Sequence, residues 1–249
     1  MDFTVKKYKE LLIALKNQNF VFQTFEEFLL SPSPKSIILR HDVDLLPKNS
    51  LVFAKIQAEN KIKGTYYFRA VPESWDENII KKIASLGHEI GYHYECLTTC
   101  KGNLERGIND FESNLFALRK LANVKTICMH GSPMSRFDSK NLWKSYDYND
   151  FGVIGEPYFD VDYTKVFYLT DTGRRWDGEK VSVRDKVVSG YNLSFHSTDE
   201  IIVETDNGQL PEQIMFTFHP QRWTDKKNLW CKELIIQNFK NQVKRLFIK

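Results

Sequence analysis

Apolar residues along this chain recur with two spacings, and each spacing predicts one kind of element. A spacing of three and four predicts an amphipathic first helix, through Val5, Tyr8, Leu12 and Leu15. The same spacing predicts the clearest helix of the chain, through Leu104, Ile108, Phe111, Leu115, Leu118 and Ala122. It also predicts a terminal helix, through Ile235, Phe239, Val243 and Leu246.

Short runs of β-branched and aromatic residues predict strands between these helices. The predicted strands lie at residues 37–44, 64–70, 88–93, 126–131, 151–156, 166–171 and 212–220. Alternating strands and helices favour an α/β fold, in which helices pack outside a parallel sheet that is closed as a barrel or open. With 249 residues we expect a single domain, with an N-terminal helical segment at about residues 1–35.

Local signals predict where some of the helices begin. Pro47 suits a first helical turn. Ser74 is followed three positions later by Glu77, which is the spacing of a capping box. Ser197 and Glu200 have the same spacing and predict a second cap, with His196 as a loop residue beside it.

Charge and cysteine content exclude several classes of protein. The 35 basic and 32 acidic residues are spread along the chain and give a net charge of +3, so no basic block indicates nucleic-acid binding. No apolar stretch approaches the roughly 20 residues of a membrane span, and no signal peptide is recognised. The cysteines lack the spacing of a disulfide framework. We therefore expect reduced thiols and a cytoplasmic location.

The segment IILRHDVD, residues 37–44, ends an apolar strand with two acids. Because side chains alternate along a strand, Asp42 and Asp44 project from one face, about 6–7 Å apart, while His41 faces the other way. One interpretation is a turn, in which Asp44 caps the next helix and Asp42 pairs with Arg40. The other is a pair of carboxylates directed at one site.

Polar residues collect at the carboxyl ends of the predicted strands, namely Asp42, Asp44, Arg69, His93, Glu95, His130, Asp171 and His219. In parallel α/β folds these ends emerge on one face, where active sites lie. Three histidines and an Asp-x-Asp pair on one rim favour a divalent metal with a carboxylate base. Zinc accepts such mixed ligands. His88, at the amino end of its strand, is not expected to be a ligand, and a thiolate site of His93, Cys96 and Cys100 is a weaker alternative.

The segment LTDTGRRWDG, residues 169–178, offers candidate substrate-binding groups on a loop. Aromatic faces suit a sugar ring, and guanidinium groups suit carboxylate or phosphate. A solvated turn closed by Arg–Asp pairs is the alternative. The candidate substrate-binding residues are Arg69, Asp171, Arg174, Arg175, Trp176 and Trp223.

Four motifs resemble the polysaccharide deacetylase family of NodB-type carbohydrate esterases, in particular a divergent branch with an RHDVD signature. The motifs are LRHDVD at 39–44, GHEIGYHYE at 87–95, MHGSP at 129–133 and TFHP at 217–220. The resemblance implies a distorted, incomplete (β/α) barrel of about seven parallel strands with outer helices. It also implies metal-dependent removal of an acetyl group from an N-acetylated sugar of a surface polysaccharide or its precursor.

The resemblance further implies roles for individual residues. Asp42 would be the catalytic base, Asp44 and His93 metal ligands, and His219 the general acid. The family places another histidine ligand four residues after the first, where this chain has Leu97. The family's proline-rich segment with an Arg is also replaced, by HGSP.

Because Leu97 cannot bind a metal, a third ligand must come from elsewhere. We expect His130 to supply it, with Glu95 as the competitor. If the site holds no metal, the protein would be a silent glycan-binding or biosynthetic partner protein. An amide hydrolase for another acyl group, such as formyl, is the further alternative.

Overall fold

The computed structural model describes residues 1–132, 135–177, 184 and 186–247. Within these residues one seven-stranded sheet contains only parallel pairs, in the order β5-β4-β3-β2-β7-β6, with β1 also paired to β2. The strands are β1 (Val21–Gln23), β2 (Ser36–Val43), β3 (Thr65–Phe68), β4 (Glu89–Tyr94), β5 (Ile127–Met129), β6 (Phe167–Thr170) and β7 (Gln213–Phe218). The sheet curls into a distorted, incomplete (β/α) barrel, which confirms the predicted fold class.

Helices surround the sheet. They are α1 (Val5–Asn17), α2 (Phe25–Leu30), α3 (Pro47–Glu59), α4 (Glu77–Ser85), α5 (Cys96–Thr99), α6 (Leu104–Arg119), α7 (Pro157–Asp160), α8 (Thr198–Asp206) and α9 (Lys227–Phe247). Short 3-10 helices span Ser139–Lys144, Tyr148–Phe151 and Pro220–Arg222. No helix in the described part of the chain is long and apolar enough to cross a bilayer.

Strand β2 lies in the centre of the sheet, and all eight of its residues are buried. Ile37, Leu39 and Val43 contribute to the cluster between the sheet and the helices, whereas Ile38 belongs to the cluster inside the barrel. His41 shares the helix-facing side and stacks on Tyr66 with 4.1 Å between ring centroids. The alternation predicted for this strand is therefore confirmed, and Asp42 faces the barrel interior.

One of the two predicted helix caps is wrong. Ser197 caps α8 as predicted, since its hydroxyl accepts from the Glu200 amide. Helix α4 instead begins after Asp76, whose carboxylate accepts from the Ile79 amide. The Ser74 hydroxyl accepts from the Arg69 amide and donates to the carbonyl of Val43 at the end of β2, so it is directed at the strand ends and not at the helix.

One predicted strand is also wrong. Residues 151–156 contain the end of a 3-10 helix and a single bridge between Gly155 and Thr126. The chain turns at Gly152, which has a φ of +66°, and then enters α7 at Pro157. Between these two breaks the segment forms only this isolated bridge, so it is not a strand although its residues are mostly apolar.

Candidate active site

The carboxyl ends of β2, β4, β5 and β7 bring three imidazoles around one carboxylate, that of Asp44. Oδ1 of Asp44 lies 3.7 Å from His93 Nε2 and 3.5 Å from His130 Nε2. Oδ2 of Asp44 lies 3.9 Å from His219 Nε2. Four of the rim residues predicted from the strand ends therefore converge on one point, namely Asp44, His93, His130 and His219.

Hydrogen bonds fix the orientation of the two imidazoles that face Asp44 Oδ1. His93 Nδ1 lies 2.8 Å from the carbonyl oxygen of Cys128, so this nitrogen donates the proton and Nε2 keeps its lone pair. His130 Nδ1 lies 2.9 Å from Glu95 Oε2 and is fixed in the same way. Burial lowers the pKa of His93 to about 4, so the ring is neutral at pH 7 and its lone pair is available.

Asp44 Oδ1 is buried and has no hydrogen-bond partner among the described residues. An unpaired carboxylate oxygen in the interior is costly unless a cation or donor compensates it. Here it faces the Nε2 atoms of His93 and His130, at distances longer than an ordinary hydrogen bond. A carboxylate oxygen and two imidazole nitrogens are the donors that a divalent cation such as zinc prefers, so this set fits a metal.

Glu95 lies behind His130 and does not face the same point. Its Oε2 accepts from His130 and from the Ser132 hydroxyl, and its Oε1 accepts from Arg69 Nε at 2.8 Å. Burial alone would raise the pKa of Glu95, but the hydrogen bond from His130 and the charge of Arg69 lower it to about 2. A carboxylate that orients a ligand histidine is a common second layer of metal sites.

Asp42 forms a bidentate ion pair with Arg40, as the turn interpretation expected. The Nε–Oδ1 and Nη2–Oδ2 distances are 2.8 and 2.7 Å, and both side chains are buried. Burial would raise the pKa of Asp42, but the Arg40 charge holds it well below its usual range, so the carboxylate is ionised at neutral pH. The other half of that interpretation is wrong, since α3 begins after Leu46 without a side-chain cap.

A second possible ligand set shares His93. Atoms of Asp42, His93 and Cys128 lie within 4.8 Å of one another, and all three residues are buried. Both oxygens of Asp42 already accept from Arg40, and a guanidinium beside a site disfavours a second cation there. The Asp44 carboxylate has an unpaired oxygen and accepts from no arginine among the described residues, so the set with His130 is the better match.

His219 is held by Asp171, a residue predicted to bind substrate. His219 Nδ1 donates to Asp171 Oδ1 at 2.5 Å, and the backbone amide of His219 donates to Oδ2 at 3.0 Å. Arg222 and the Trp223 indole donate to the same carboxylate, at 3.0 and 2.6 Å. Asp171 is fully buried and has no oxygen left for a sugar. Its position at the end of β6, beside β7, was the signal for this contact.

The two tryptophans proposed as sugar-stacking groups are buried. Trp223 is 1% exposed and packs among Tyr8, Phe53 and Phe218. Trp176 is 5% exposed and donates to the Thr198 hydroxyl. Neither ring has a face open to a sugar, which corrects the expectation for both residues. An aromatic residue in a loop sequence does not reveal whether the loop folds over the core.

The three arginines in that group are also held by protein contacts. Arg174 is buried, donates to the carbonyl of Trp230 and lies over its ring at 4.3 Å. Arg175 forms a bidentate pair with Asp177, which is the closed-turn alternative. Arg69 lies at the rim with its guanidinium on Glu95 and on the carbonyl of Asp44.

Several residues that do not serve as metal ligands have structural roles. Burial raises the pKa of Cys96 to about 12, which removes the thiolate alternative. His88 accepts from the Gly64 amide and lies 2.9 Å from the Ala54 carbonyl, at the opposite end of the sheet. Leu97 is 3% exposed and belongs to the hydrophobic core. Pro133 and Gly178, which belong to two of the motifs, lie outside the described residues.

Comparison with solved structures finds family 4 carbohydrate esterases, the class of protein that the sequence motifs resemble. A family 4 pseudoenzyme from Bacillus anthracis has a TM-score of 0.48 and 15% identity, and the match covers 85% of this chain and 63% of that chain. An esterase from Streptococcus mutans has a TM-score of 0.47 and 13% identity, with 91% of each chain covered. PdaA of Bacillus subtilis has a TM-score of 0.42 and 11% identity, covering 92% of this chain and 83% of that chain.

These are likenesses of fold, and this chain spans less than two thirds of the Bacillus anthracis protein. No model of a protein family matches the chain, and no curated protein matches its sequence. The function proposed below therefore rests on the geometry of the site and on the motifs that form it.

Proposed function

We propose that this protein is a metal-dependent hydrolase that removes an N-acetyl group from an N-acetylated sugar of a surface polysaccharide or its precursor. The observation that supports this most directly is the unpaired Oδ1 of Asp44, which faces the Nε2 atoms of His93 and His130. The ionised carboxylate of Asp42 and the imidazole of His219, which Asp171 holds, lie around the same point. The sugar and the acetyl group are taken from the motifs, not from the geometry.

Asp44, His93 and His130 would hold a divalent cation, and their donor atoms suit zinc. When bound, such a cation supplies Lewis acidity, which makes water more acidic and polarises an acyl carbonyl. Glu95 and the Cys128 carbonyl keep the Nδ1 protons of the two histidines away from the site. The chain therefore directs two imidazole nitrogens and one carboxylate oxygen at the same space.

Asp42 is the proposed proton acceptor. Its Oδ2 lies 3.6 Å from His93 Nε2, so it reaches the space that the ligand atoms enclose. The ion pair with Arg40 fixes the carboxylate and keeps it ionised, but it also makes Asp42 a weak base. Such a base accepts a proton efficiently only from a water that has already been made acidic, which agrees with a metal-dependent reaction.

His219 is the proposed proton donor to the departing amine. Asp171 holds its Nδ1 proton, so Nε2 is the atom directed towards Asp44 and the site. The buried Asp171 carboxylate fixes the orientation of the ring, and Arg222 and Trp223 in turn hold that carboxylate. Asp171 is thus a positioning residue for the acid, and Asp42 and His219 divide the two proton transfers between them.

The test measures bound metal and acetate release on the same preparation of the full chain. We expect the purified protein to retain a divalent metal and to release acetate from N-acetylated nucleotide or lipid-linked sugars. Asp44→Asn should lose both properties. Asp177→Asn, which breaks an Arg–Asp pair outside the site, is the matched control and should keep both.

If the protein released formate from N-formylated analogues but no acetate from N-acetylated sugars, the acyl group in the proposal would be formyl. The alternative of a silent glycan-binding or biosynthetic partner protein is supported by Leu97, which leaves the ligand position of the motif without a donor. A protein that holds no metal but binds N-acetylated glycans would establish this alternative. A cytoplasmic location is also part of the proposal, and it rests on the four free cysteines.

A further inference from the structure

Helix α9 exposes large apolar side chains to solvent. Leu229, Ile235 and Phe239 are 47, 69 and 72% exposed, whereas Gln237 and Asn241 are buried. A surface helix normally buries its apolar stripe and exposes its polar side. The spacing that predicted a terminal helix is therefore correct, but the stripe contains large side chains that face solvent.

Polar contacts on the inner side fix the rotation of α9. Asn241 donates to the carbonyl of Gly173 at 2.8 Å, and the Trp230 indole donates to the carbonyl of Asp2 at 2.7 Å. Arg174 lies over the Trp230 ring and donates to its carbonyl. Turning the apolar stripe inward would break all of these contacts, so its exposure follows from the packing of the helix.

The charge of α9 indicates what covers the stripe. The helix contains five basic residues and one acid, and its net charge of +4 exceeds the +3 of the whole chain. The charged residues are Lys227, Lys232, Glu233, Lys240, Lys244 and Arg245. A second copy of this helix would bring like charges together, which is unfavourable. An anionic surface with an apolar interior is complementary to both the positive charge of α9 and its exposed apolar stripe.

We propose that α9 binds in the plane of an anionic lipid bilayer, with Leu229, Ile235 and Phe239 at the boundary between headgroups and acyl chains. Basic amphipathic helices bind membranes in this way, without spanning them. Lysines beside the stripe contact the lipid phosphates.

Binding of α9 to a membrane does not depend on the proposed hydrolase activity. The function that we infer for this binding does depend on it. Helix α9 packs against Gly173 and Arg174, and these residues closely follow Asp171, which holds His219. Bilayer binding would therefore bring the rim of the site close to lipid-linked sugars, and this part of the inference rests on the proposed function.

The test is co-sedimentation of the full chain with vesicles of equal parts phosphatidylglycerol and phosphatidylcholine, and with phosphatidylcholine alone. We expect binding to the anionic vesicles, weaker binding at high salt, and little binding to the neutral ones. Phe239→Ser and Ile235→Ser should each weaken binding on the order of tenfold. Phe116→Ser, on α6, is the matched control because Phe116 is 64% exposed, and it should bind like the wild type.

Equal binding to both kinds of vesicle, or an unchanged affinity of Phe239→Ser, would overturn the proposal. So would a concentration-dependent dimer that Phe239→Ser abolishes, without vesicle binding, since the stripe would then be covered by a second copy. Circular dichroism of each variant shows whether it is folded. Acetate release from a water-soluble N-acetylated sugar should be the same for Phe239→Ser and the wild type, so failure of one proposal is separable from failure of the other.

Discussion

His130 Nε2 lies 3.5 Å from Asp44 Oδ1, although β5 and β2 are separated by two other strands in the sheet. Asp44 lies just beyond the end of β2, and His130 just beyond the end of β5. The curvature of the sheet brings these two ends together across the barrel. A flat sheet of the same strand order would hold them about 14 Å apart, at the usual strand spacing of about 4.8 Å.

Removal of the His130 imidazole should therefore lower metal affinity more than a change to Glu95, which lies behind it. We expect His130→Ala to lose well over tenfold in affinity for zinc, and Glu95→Gln to lose on the order of tenfold, because Gln still accepts from Nδ1 but carries no charge. Metal titration of both variants checks the order. If Glu95→Gln were the more damaging change, Glu95 would be the ligand.

Asp42 should be needed for turnover but not for metal binding. We expect Asp42→Asn to bind metal like the wild type and to lose on the order of 10²–10⁴ in turnover. The variant leaves Arg40 buried without its charge partner, which should cost about 3–5 kcal/mol of the free energy of unfolding. Denaturant titration measures this loss, and activity must be assayed where the variant is folded. Near-normal turnover would assign the proton acceptor to another group.

Asp171 should act on the rate through His219. We expect Asp171→Asn to keep its metal and to lose turnover, because the His219 ring loses the carboxylate that holds its Nδ1 proton. Separate measurement of kcat and KM checks this: kcat should fall with little change in KM, and Asp171→Glu should recover part of the rate. Loss of bound metal together with turnover would indicate a purely structural role for Asp171.

His41 should make the fold sensitive to acid. Burial lowers its pKa to about 3, and the ring accepts from Gln57 and lies 3.0 Å from the Thr65 carbonyl. An unfolded chain binds this proton near pH 6.5 and the folded chain does not, so stability is lost as pH falls below 6.5. Between pH 7 and pH 5 the loss should be on the order of 2 kcal/mol.

The control for this prediction is His41→Gln. The variant should be less stable at pH 7, because it loses the stacking on Tyr66, but its free energy of unfolding should change less between pH 7 and pH 5. Denaturant titrations at both pH values give the difference. Parallel pH dependences of the two proteins would show that His41 is not the group responsible.

Much of the site was predictable because strand alternation is a local rule. It placed Asp42 and His41 on opposite faces of β2, and the parallel order placed the strand ends on one rim. Contacts between strands were not predictable in the same way. The contact between Asp171 and His219 depends on the pairing of β6 with β7.

The errors also have physical causes. Ser74 has the spacing of a cap, but its hydroxyl binds a carbonyl from another strand, which no local pattern encodes. Burial of Trp176 and Trp223 depends on how the loop after β6 and the segment after β7 fold over the core. The outward stripe of α9 could not be predicted either, because periodicity gives the width of an apolar face and not its direction.

The central position of β2 has a consequence for synthesis of the chain on the ribosome. Along one edge β2 pairs with β1 and β3, which are close to it in sequence, but along the other it pairs Ile37 with Ile214 of β7. During translation that edge has no partner until nearly the whole chain has been made. A nascent chain therefore leaves one edge of this fully buried strand unpaired for most of its synthesis, a state prone to aggregation and suited to chaperone binding.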